Sequence, residues 1–180
     1  MVYILLGTGF EEIEALTPCD LLRRAGVEVA LVGLNGAEIT GSHGITVRGD
    51  LSLEEVKLEN LDMLVLPGGL RGVEFILNCP PALDLTLRAW KEGKFICAIC
   101  AAPTILAKLG ILQSAPATCY PGKEREMGEA KLYDLPVVRS EKLITGRAAG
   151  SAVDFSLAMI EALKGDAETR RIAKQIVYDC

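Results

Sequence analysis

The segment from Phe95 to Thr104 constrains the fold more than any other part of this chain. An apolar, β-prone run ends at Cys100, and two alanines, a proline and a helix-prone segment follow. A strand that delivers a side chain at a sharp turn directly before a helix forms a nucleophile elbow. The small residues Ala98 and Ala102, two positions either side of the cysteine, let the backbone turn tightly. The segment therefore predicts an α/β fold with a nucleophile at a strand end.

The position of Cys100 also bears on its chemistry. The start of a helix offers unsatisfied N–H groups and a positive dipole end, which favour a thiolate. We therefore expect Cys100 to have a lowered pKa and to be the most reactive thiol of the chain. The alternative is a buried structural cysteine, which is a common role for this residue.

Apolar strand candidates alternate with helical patterns, which favours a mostly parallel sheet with helices on both faces. Strands are expected at Val2–Leu6, Val27–Leu34, Met63–Leu66, Phe95–Ile99 and Leu143–Thr145. Helices are expected at Glu12–Ala25, Pro81–Glu92, Ala101–Leu109, Ala152–Lys164 and Glu168–Tyr178, with a further helix start at Ser52. A short antiparallel excursion is expected at Glu38–Thr40 and Ile45–Val47. Residues 114–139 show only a weak pattern, and without a linker or repeat, residues 1–180 are expected to form one domain.

Small residues are concentrated at four predicted strand ends. In open parallel sheets, ligands bind beyond the carboxyl ends of the strands. We therefore expect one shared pocket, built from Gly7-Thr8-Gly9, Pro67-Gly68-Gly69, the turn at Cys100 and residues 146–150.

Charge and cysteine content limit the classes of partner. The net charge is −5 and the pI is near 5.0, which argues against nucleic acid or an anionic membrane as the main partner. The sequence shows neither a signal-peptide pattern nor an apolar stretch approaching the ~18 residues of a membrane span. We expect a cytoplasmic protein whose scattered cysteines stay reduced; these are Cys19, Cys79, Cys97, Cys100, Cys119 and Cys180.

Three acidic residues open the helix after the first strand. Glu11 and Glu12 are explained by the preference of acids for the first turn of a helix. Glu14 has apolar neighbours, so burial would raise the pKa of its carboxyl group and keep it protonated. An acid–base role and a packing role both remain open for Glu14.

Glycines after two predicted strands have competing interpretations. Gly68 and Gly69 form either an ordinary turn or a place where main-chain N–H groups approach a substrate oxygen, and the nearby elbow favours the second. Gly7-Thr8-Gly9 lacks the third glycine of a dinucleotide loop, and the acids that follow would repel a pyrophosphate. No cofactor is therefore expected.

Two further patterns are judged incidental. Cys97 and Cys100 match the spacing of a redox pair, but strand alternation points Cys97 away from Cys100, so a dithiol oxidoreductase is not expected. His43 is the only histidine and is best explained as an exposed loop residue between two glycines. No metal-ligand spacing is evident, so no metal is expected.

The whole chain, from Val2 to about Val177, resembles the ThiJ/PfpI superfamily, in the branch of the parkinsonism-associated protein deglycase and bacterial YajL. The specific segments are residues 9–14, 65–69 and 98–104 and the pair Asp154-Phe155. The resemblance implies a flavodoxin-like three-layer sandwich, usually a homodimer. It also implies that Cys100 is the reactive cysteine, that Glu14 hydrogen-bonds it, and that Gly68 and Gly69 face it.

The chain departs from that family at three places. Tyr120 stands where some members place a histidine beside the cysteine, and without that base we expect no peptidase activity. His43 takes the place of an arginine that many members direct toward the partner's site. Ala148-Ala149-Gly150 replaces the more usual Gly-Pro-Gly. The oxyanion and substrate pocket is expected to include Gly68, Gly69, Ala101, Tyr120 and His43.

Two functions remain open at this point. The first is a cofactor-independent enzyme acting on small reactive carbonyls or glycated substrates, either a glyoxalase III-type lyase or a deglycase hydrolase. Cys100 would be its nucleophile and Glu14 its acid–base residue. The second is a redox-sensing stress-response protein or chaperone that uses oxidation of Cys100.

Overall fold

The computed structural model describes residues 1–178, so Cys180 lies outside the described residues. The strands are β1 (Val2–Leu6), β2 (Val29–Gly33), β3 (Glu38–Thr40), β4 (Thr46–Arg48), β5 (Leu51–Ser52), β6 (Met63–Leu66), β7 (Phe95–Ile99), β8 (Pro116–Ala117), β9 (Lys131–Leu132), β10 (Val137–Ser140) and β11 (Leu143–Gly146). The helices are α1 (Glu12–Arg24), α2 (Leu70–Leu77), α3 (Pro80–Lys91), α4 (Pro103–Lys108), α5 (Ala152–Lys164) and α6 (Asp166–Gln175).

Seven strands form the central sheet in the order β10-β11-β7-β6-β1-β2-β5. All neighbours pair in parallel except β10, which is antiparallel to β11. A β3–β4 hairpin and a short β8–β9 pair lie outside this sheet. The predicted parallel sheet is confirmed, and the architecture is a flavodoxin-like α/β sandwich.

Side-chain alternation along the strands builds one core on each face of the sheet. In β1, Tyr3 and Leu5 pack with residues of α2, α3 and α4, whereas Val2, Ile4 and Leu6 pack with residues of α1, α5 and α6. Burying one such aliphatic side chain contributes about 1.5–3 kcal/mol. Helices on both faces therefore explain why the strands are apolar on both sides.

Several local predictions differ from the structure. Helix α2 was not expected, because Pro67-Gly68-Gly69 is typical of a turn; it begins at Leu70, directly after Gly69, whose φ of 85° favours glycine. The helix expected from Ala101 begins two residues later. The helix expected at Ser52 is a single turn of 3₁₀ helix, Leu53–Glu55. The segment with a weak pattern contains β8, β9 and all but the last residue of β10.

The sheet has its topological switch point between β1 and β6. The chain leaves β1 toward β2 on one side and leaves β6 toward β7 on the other. A crevice forms where such connections diverge, beyond the carboxyl ends of the strands. Gly7 and Pro67 follow these two strands, so two of the four segments expected to form the pocket lie at the place that the topology provides.

None of the helices within residues 1–178 has the length and hydropathy that a membrane span requires.

Candidate active site

Cys100 directly follows β7 and has a left-handed backbone conformation, with a φ of 65°. Such a conformation costs a non-glycine residue about 1–3 kcal/mol, so its surroundings must impose it. The Cys100 N–H donates to the Gly146 carbonyl at 2.9 Å, and the Cys100 carbonyl accepts the Tyr120 N–H at 2.8 Å. Ala101 and Ala102 are buried at the turn. This strained cysteine at a strand end is the nucleophile elbow that the sequence predicted.

Glu14 lies in the first turn of α1 and is 1% exposed. Its Oε2 accepts the Gly68 N–H at 2.8 Å, and its carboxyl group is hydrogen-bonded to the Cys100 thiol. Its Oε1 is buried without a partner of ordinary hydrogen-bond geometry within residues 1–178. Burial raises the pKa of Glu14 to about 7, although the hydrogen bonds from Cys100 and Gly68 favour the charged form. The raised pKa expected from the sequence is therefore found.

The two glycines after β6 allow this close approach. A Cβ atom on Gly68 would lie 2.5 Å from Oε2 of Glu14 and 3.1 Å from the sulfur of Cys100. A Cβ atom on Gly69 would lie 2.4 Å from the Gly9 carbonyl oxygen. Any side chain at position 68 would therefore separate the acid from the thiol.

The expected lowering of the Cys100 pKa is wrong. Burial, followed by the charge of the Glu14 carboxylate and the hydrogen bond to it, raises the pKa of Cys100 to about 12. The N–H groups of Ala101 and Gly69 bond to the sulfur and oppose this shift without outweighing it. Helix α4, whose dipole was expected to stabilise a thiolate, has only six residues and begins at Pro103.

The two side chains titrate as a coupled pair. With pKa values of about 7 for Glu14 and about 12 for Cys100, the first proton to leave the pair comes mainly from the carboxyl group. The ionised carboxylate is then hydrogen-bonded to a thiol whose proton it can accept. The arrangement suits a general base acting on a nucleophile, because a glutamate is effective in that role when its pKa lies near neutrality.

Glu12 has a structural role that the sequence analysis missed. Although it lies in the first turn of α1, it is 5% exposed and holds the loop of residues 41–44. Its Oε1 accepts the His43 N–H at 2.7 Å, and its Oε2 lies 2.9 Å from Nδ1 of His43. Burial opposes ionisation, but the hydrogen bonds from His43 and Ser42 outweigh it and lower the pKa of Glu12 to about 2. No sequence signal identifies this contact, because 31 residues separate Glu12 from His43.

His43 itself is an exposed loop residue, as the sequence indicated, with a side chain 68% exposed. Its hydrogen bond to Glu12, with the charges of Glu11 and Glu12, raises the pKa of His43. Ligand atoms of Glu11, Glu12 and His43 lie within 4.8 Å of one another. Because these groups already bond to one another and to the loop, we assign no metal to them.

Tyr120 and His43, the other two side chains expected in the pocket, lie in different parts of the structure. Tyr120 touches Cys100 through its main chain, and the residue is 47% exposed. His43 and Gly69 line a cavity of about 520 Å³, together with Glu11 and Arg71. The loop that carries His43 is therefore brought beside the glycine pair.

The other cysteines do not join this site as a redox pair. Cys97 is fully buried in the core on the α1 and α5 side, and burial raises its pKa well above the usual value. The five cysteines within residues 1–178 are all free thiols.

Comparisons with known proteins show the family of this chain. Residues 1–162 match the model of the DJ-1/PfpI family. Protein dj-1beta of Drosophila melanogaster is 37% identical over 97% of this chain and 95% of its own length. The glutathione-independent glyoxalase DJR-1.2 of Caenorhabditis elegans is 32% identical over 92% of this chain and 89% of its own. A deglycase of Pyrococcus abyssi is 34% identical over 91% and 99%.

Solved structures give the same result for the fold. The crystal structure of Drosophila DJ-1beta has a TM-score of 0.94 at 34% identity, covering 99% of this chain and 98% of the other. An oxidized DJ-1 from Toxoplasma gondii has a TM-score of 0.95 at 31% identity, with the same coverage.

Proposed function

Because this chain belongs to the DJ-1/PfpI family, we propose that it is a cofactor-independent, cysteine-dependent enzyme acting on reactive carbonyls or glycated substrates. The observation that carries the proposal is the buried Glu14 carboxyl group, hydrogen-bonded to the strained Cys100 thiol and to the Gly68 N–H. Relatives named as a glyoxalase and a deglycase support a carbonyl substrate.

The proposed reaction with methylglyoxal begins by addition of the Cys100 thiol to the aldehyde. The sulfur–carbon bond forms, Glu14 accepts the thiol proton, and that proton passes to the carbonyl oxygen to give a hemithioacetal. The N–H groups of Gly69 and Ala101 stabilise the developing oxyanion. Glu14 then moves a proton from the first to the second substrate carbon through an enediol, which leaves a lactate thioester. Water hydrolyses the thioester, releasing lactate and the free thiol.

The test is conversion of methylglyoxal to lactate by the purified protein. Cys100→Ser should abolish turnover, and Glu14→Gln should lower it by at least about 100-fold because Gln cannot move the proton. A wild-type rate of turnover in Glu14→Gln would show that Glu14 is not the acid–base residue. Turnover that persists in Cys100→Ser would show that Cys100 is not the nucleophile.

A second candidate function is redox sensing, which the oxidized form of the Toxoplasma gondii relative favours. Two equivalents of hydrogen peroxide would convert the Cys100 thiol to a sulfinic acid, releasing two waters. The N–H groups of Gly69 and Ala101 and a protonated Glu14 would then donate to its oxygens. Mass spectrometry after peroxide treatment should find this oxidation at Cys100 before any other thiol, and preferential oxidation elsewhere would rule it out.

We also propose that the chain forms a homodimer through α1 and the loop that follows β3. Ile13 on α1 and Ile45 beside the loop are each 53% exposed, although both are apolar. Such a contact would bring His43 near the partner's site. Analytical ultracentrifugation at micromolar concentration tests it, and a purely monomeric protein would exclude this role for His43.

A further inference from the structure

The cavity beside Gly69 has the size of a ligand pocket. Its volume is about 520 Å³, within the range of about 300–1,000 Å³ that is usual for small-molecule sites. It opens between the end of β1 and the start of α2. Its ionisable lining residues are Glu11, His43 and Arg71.

These three ionisable side chains are not equally available to a ligand. The Glu11 carboxylate accepts a hydrogen bond from Oγ of Ser42 at 3.0 Å and lies 3.5 Å from Nδ1 of His43. Arg71, in contrast, has no hydrogen-bond or ion-pair partner for its guanidinium group within residues 1–178. The one charge of the cavity without a counter-charge is therefore positive.

Tight main-chain packing fixes the position from which Arg71 extends. A Cβ atom on Gly9 would lie 2.4 Å from Cβ of Arg71, and the Gly72 N–H donates to the Gly9 carbonyl at 3.1 Å. The first turn of α2 is thus held against the end of β1. Gly69, whose N–H bonds to the sulfur of Cys100, lies two residues before Arg71.

We propose that Arg71 selects carbonyl substrates that carry a carboxylate in addition to the two adjacent carbonyl groups on which the proposed reaction acts. A guanidinium group binds a carboxylate through two parallel hydrogen bonds, and the positive end of α2 adds to the attraction. The inference rests on the proposed function and names its substrate class. Arg71 binds the anionic group while Cys100 adds to the aldehyde, so the charge serves recognition rather than proton transfer.

Alkylation of Cys100 tests this without requiring turnover. Iodoacetate and iodoacetamide react with a thiol in the same way and differ in their carboxylate and amide groups. In Arg71→Gln, the ratio of the iodoacetate to the iodoacetamide rate constant at Cys100 should fall about fivefold, the effect of one partly exposed ion pair. Protection of Cys100 from iodoacetamide by glyoxylate should weaken by a similar factor. Mass spectrometry of the Cys100 peptide measures both quantities.

Two further variants serve as controls in the alkylation experiment. Arg71→Lys keeps the charge and should restore more than half of the lost preference. Arg170→Gln removes a guanidinium that is 74% exposed on α6 and should leave the ratio unchanged. An unchanged ratio in Arg71→Gln would overturn the inference. A fallen ratio in a protein that does not convert methylglyoxal would support the anion preference while excluding the glyoxalase function.

Discussion

The main-chain N–H of Gly68 donates a 2.8 Å hydrogen bond to Oε2 of Glu14, across 54 residues of sequence. This contact joins the first turn of α1 to the end of β6 and fixes the carboxyl group against the Cys100 thiol. Burial favours the protonated form of this acid, whereas the hydrogen bond from the main chain favours the charged form. The balance leaves the pKa of Glu14 at about 7.

Gly68→Ala should disrupt this contact. The new methyl group would lie 2.5 Å from Oε2 of Glu14, so the acid or the loop must move. We expect a loss of about 1–3 kcal/mol in the free energy of unfolding and at least a tenfold fall in methylglyoxal turnover. Gly150→Ala is the matched control, because its Cβ would meet no atom within 4 Å. Equal behaviour of the two variants in urea denaturation and activity would contradict the steric argument.

Glu14→Gln should change how stability depends on pH. The folded-state pKa of Glu14 is about 7, above the ordinary 4.5, so its contribution is most favourable below pH 4.5 and is lost as pH rises through 7. Glu14→Gln lacks this loss, so its stability relative to wild type should increase by about 3 kcal/mol between pH 4.5 and 8. Urea denaturation at several pH values measures the difference.

The control for that experiment is Glu28→Gln, which alters an exposed acid. We expect it to follow the wild-type pH dependence within about 0.5 kcal/mol. A Glu14→Gln curve parallel to wild type would mean that the carboxyl group is not perturbed by folding.

Alkylation of Cys100 by iodoacetamide should accelerate through pH 7. The thiol has a raised pKa of about 12, but ionised Glu14 can accept its proton during the reaction. Glu14→Gln should lose the inflection near pH 7. Cys97 is fully buried and provides an internal control that should remain unlabelled in the folded protein. A Cys100 rate already at its plateau at pH 5 would instead indicate a thiolate with a lowered pKa.

Glu12→Gln should loosen the loop of residues 41–44. The folded-state pKa of Glu12 is about 2, below the ordinary 4.5, so the carboxylate stabilises the fold above pH 4.5 and this contribution is lost as pH falls toward 2. The variant should be less stable than wild type at pH 6 and should lose less stability on acidification. Urea denaturation at pH 6, 4 and 3 measures this, and Glu38→Gln, at an exposed position of β3, is the control. A Glu12→Gln protein as stable as wild type at pH 6 would show that the loop does not depend on this carboxylate.

Local sequence patterns predicted most of the architecture, because burial on both sides of the sheet requires continuous apolar strands. β1, β6 and β7 have the predicted bounds, and α5 has them as well. Helix α2 was missed because the glycine at its start is equally typical of a turn, and only the packing of residues 9–10 against it distinguishes the two.

The sequence by itself determined the parallel sheet, the strained turn at Cys100 and an acid on the first helix. Each depends on residues that are neighbours in the chain: alternating apolar positions, alanines around a cysteine, and a glutamate among apolar residues. The tertiary structure alone decided the protonation of the pair. The thiol pKa is raised rather than lowered because Glu14 and the surrounding core, which lie far from Cys100 in sequence, outweigh the N–H groups of Gly69 and Ala101. Long-range packing sets the desolvation and charge around a buried group, so no pattern of adjacent residues predicts it.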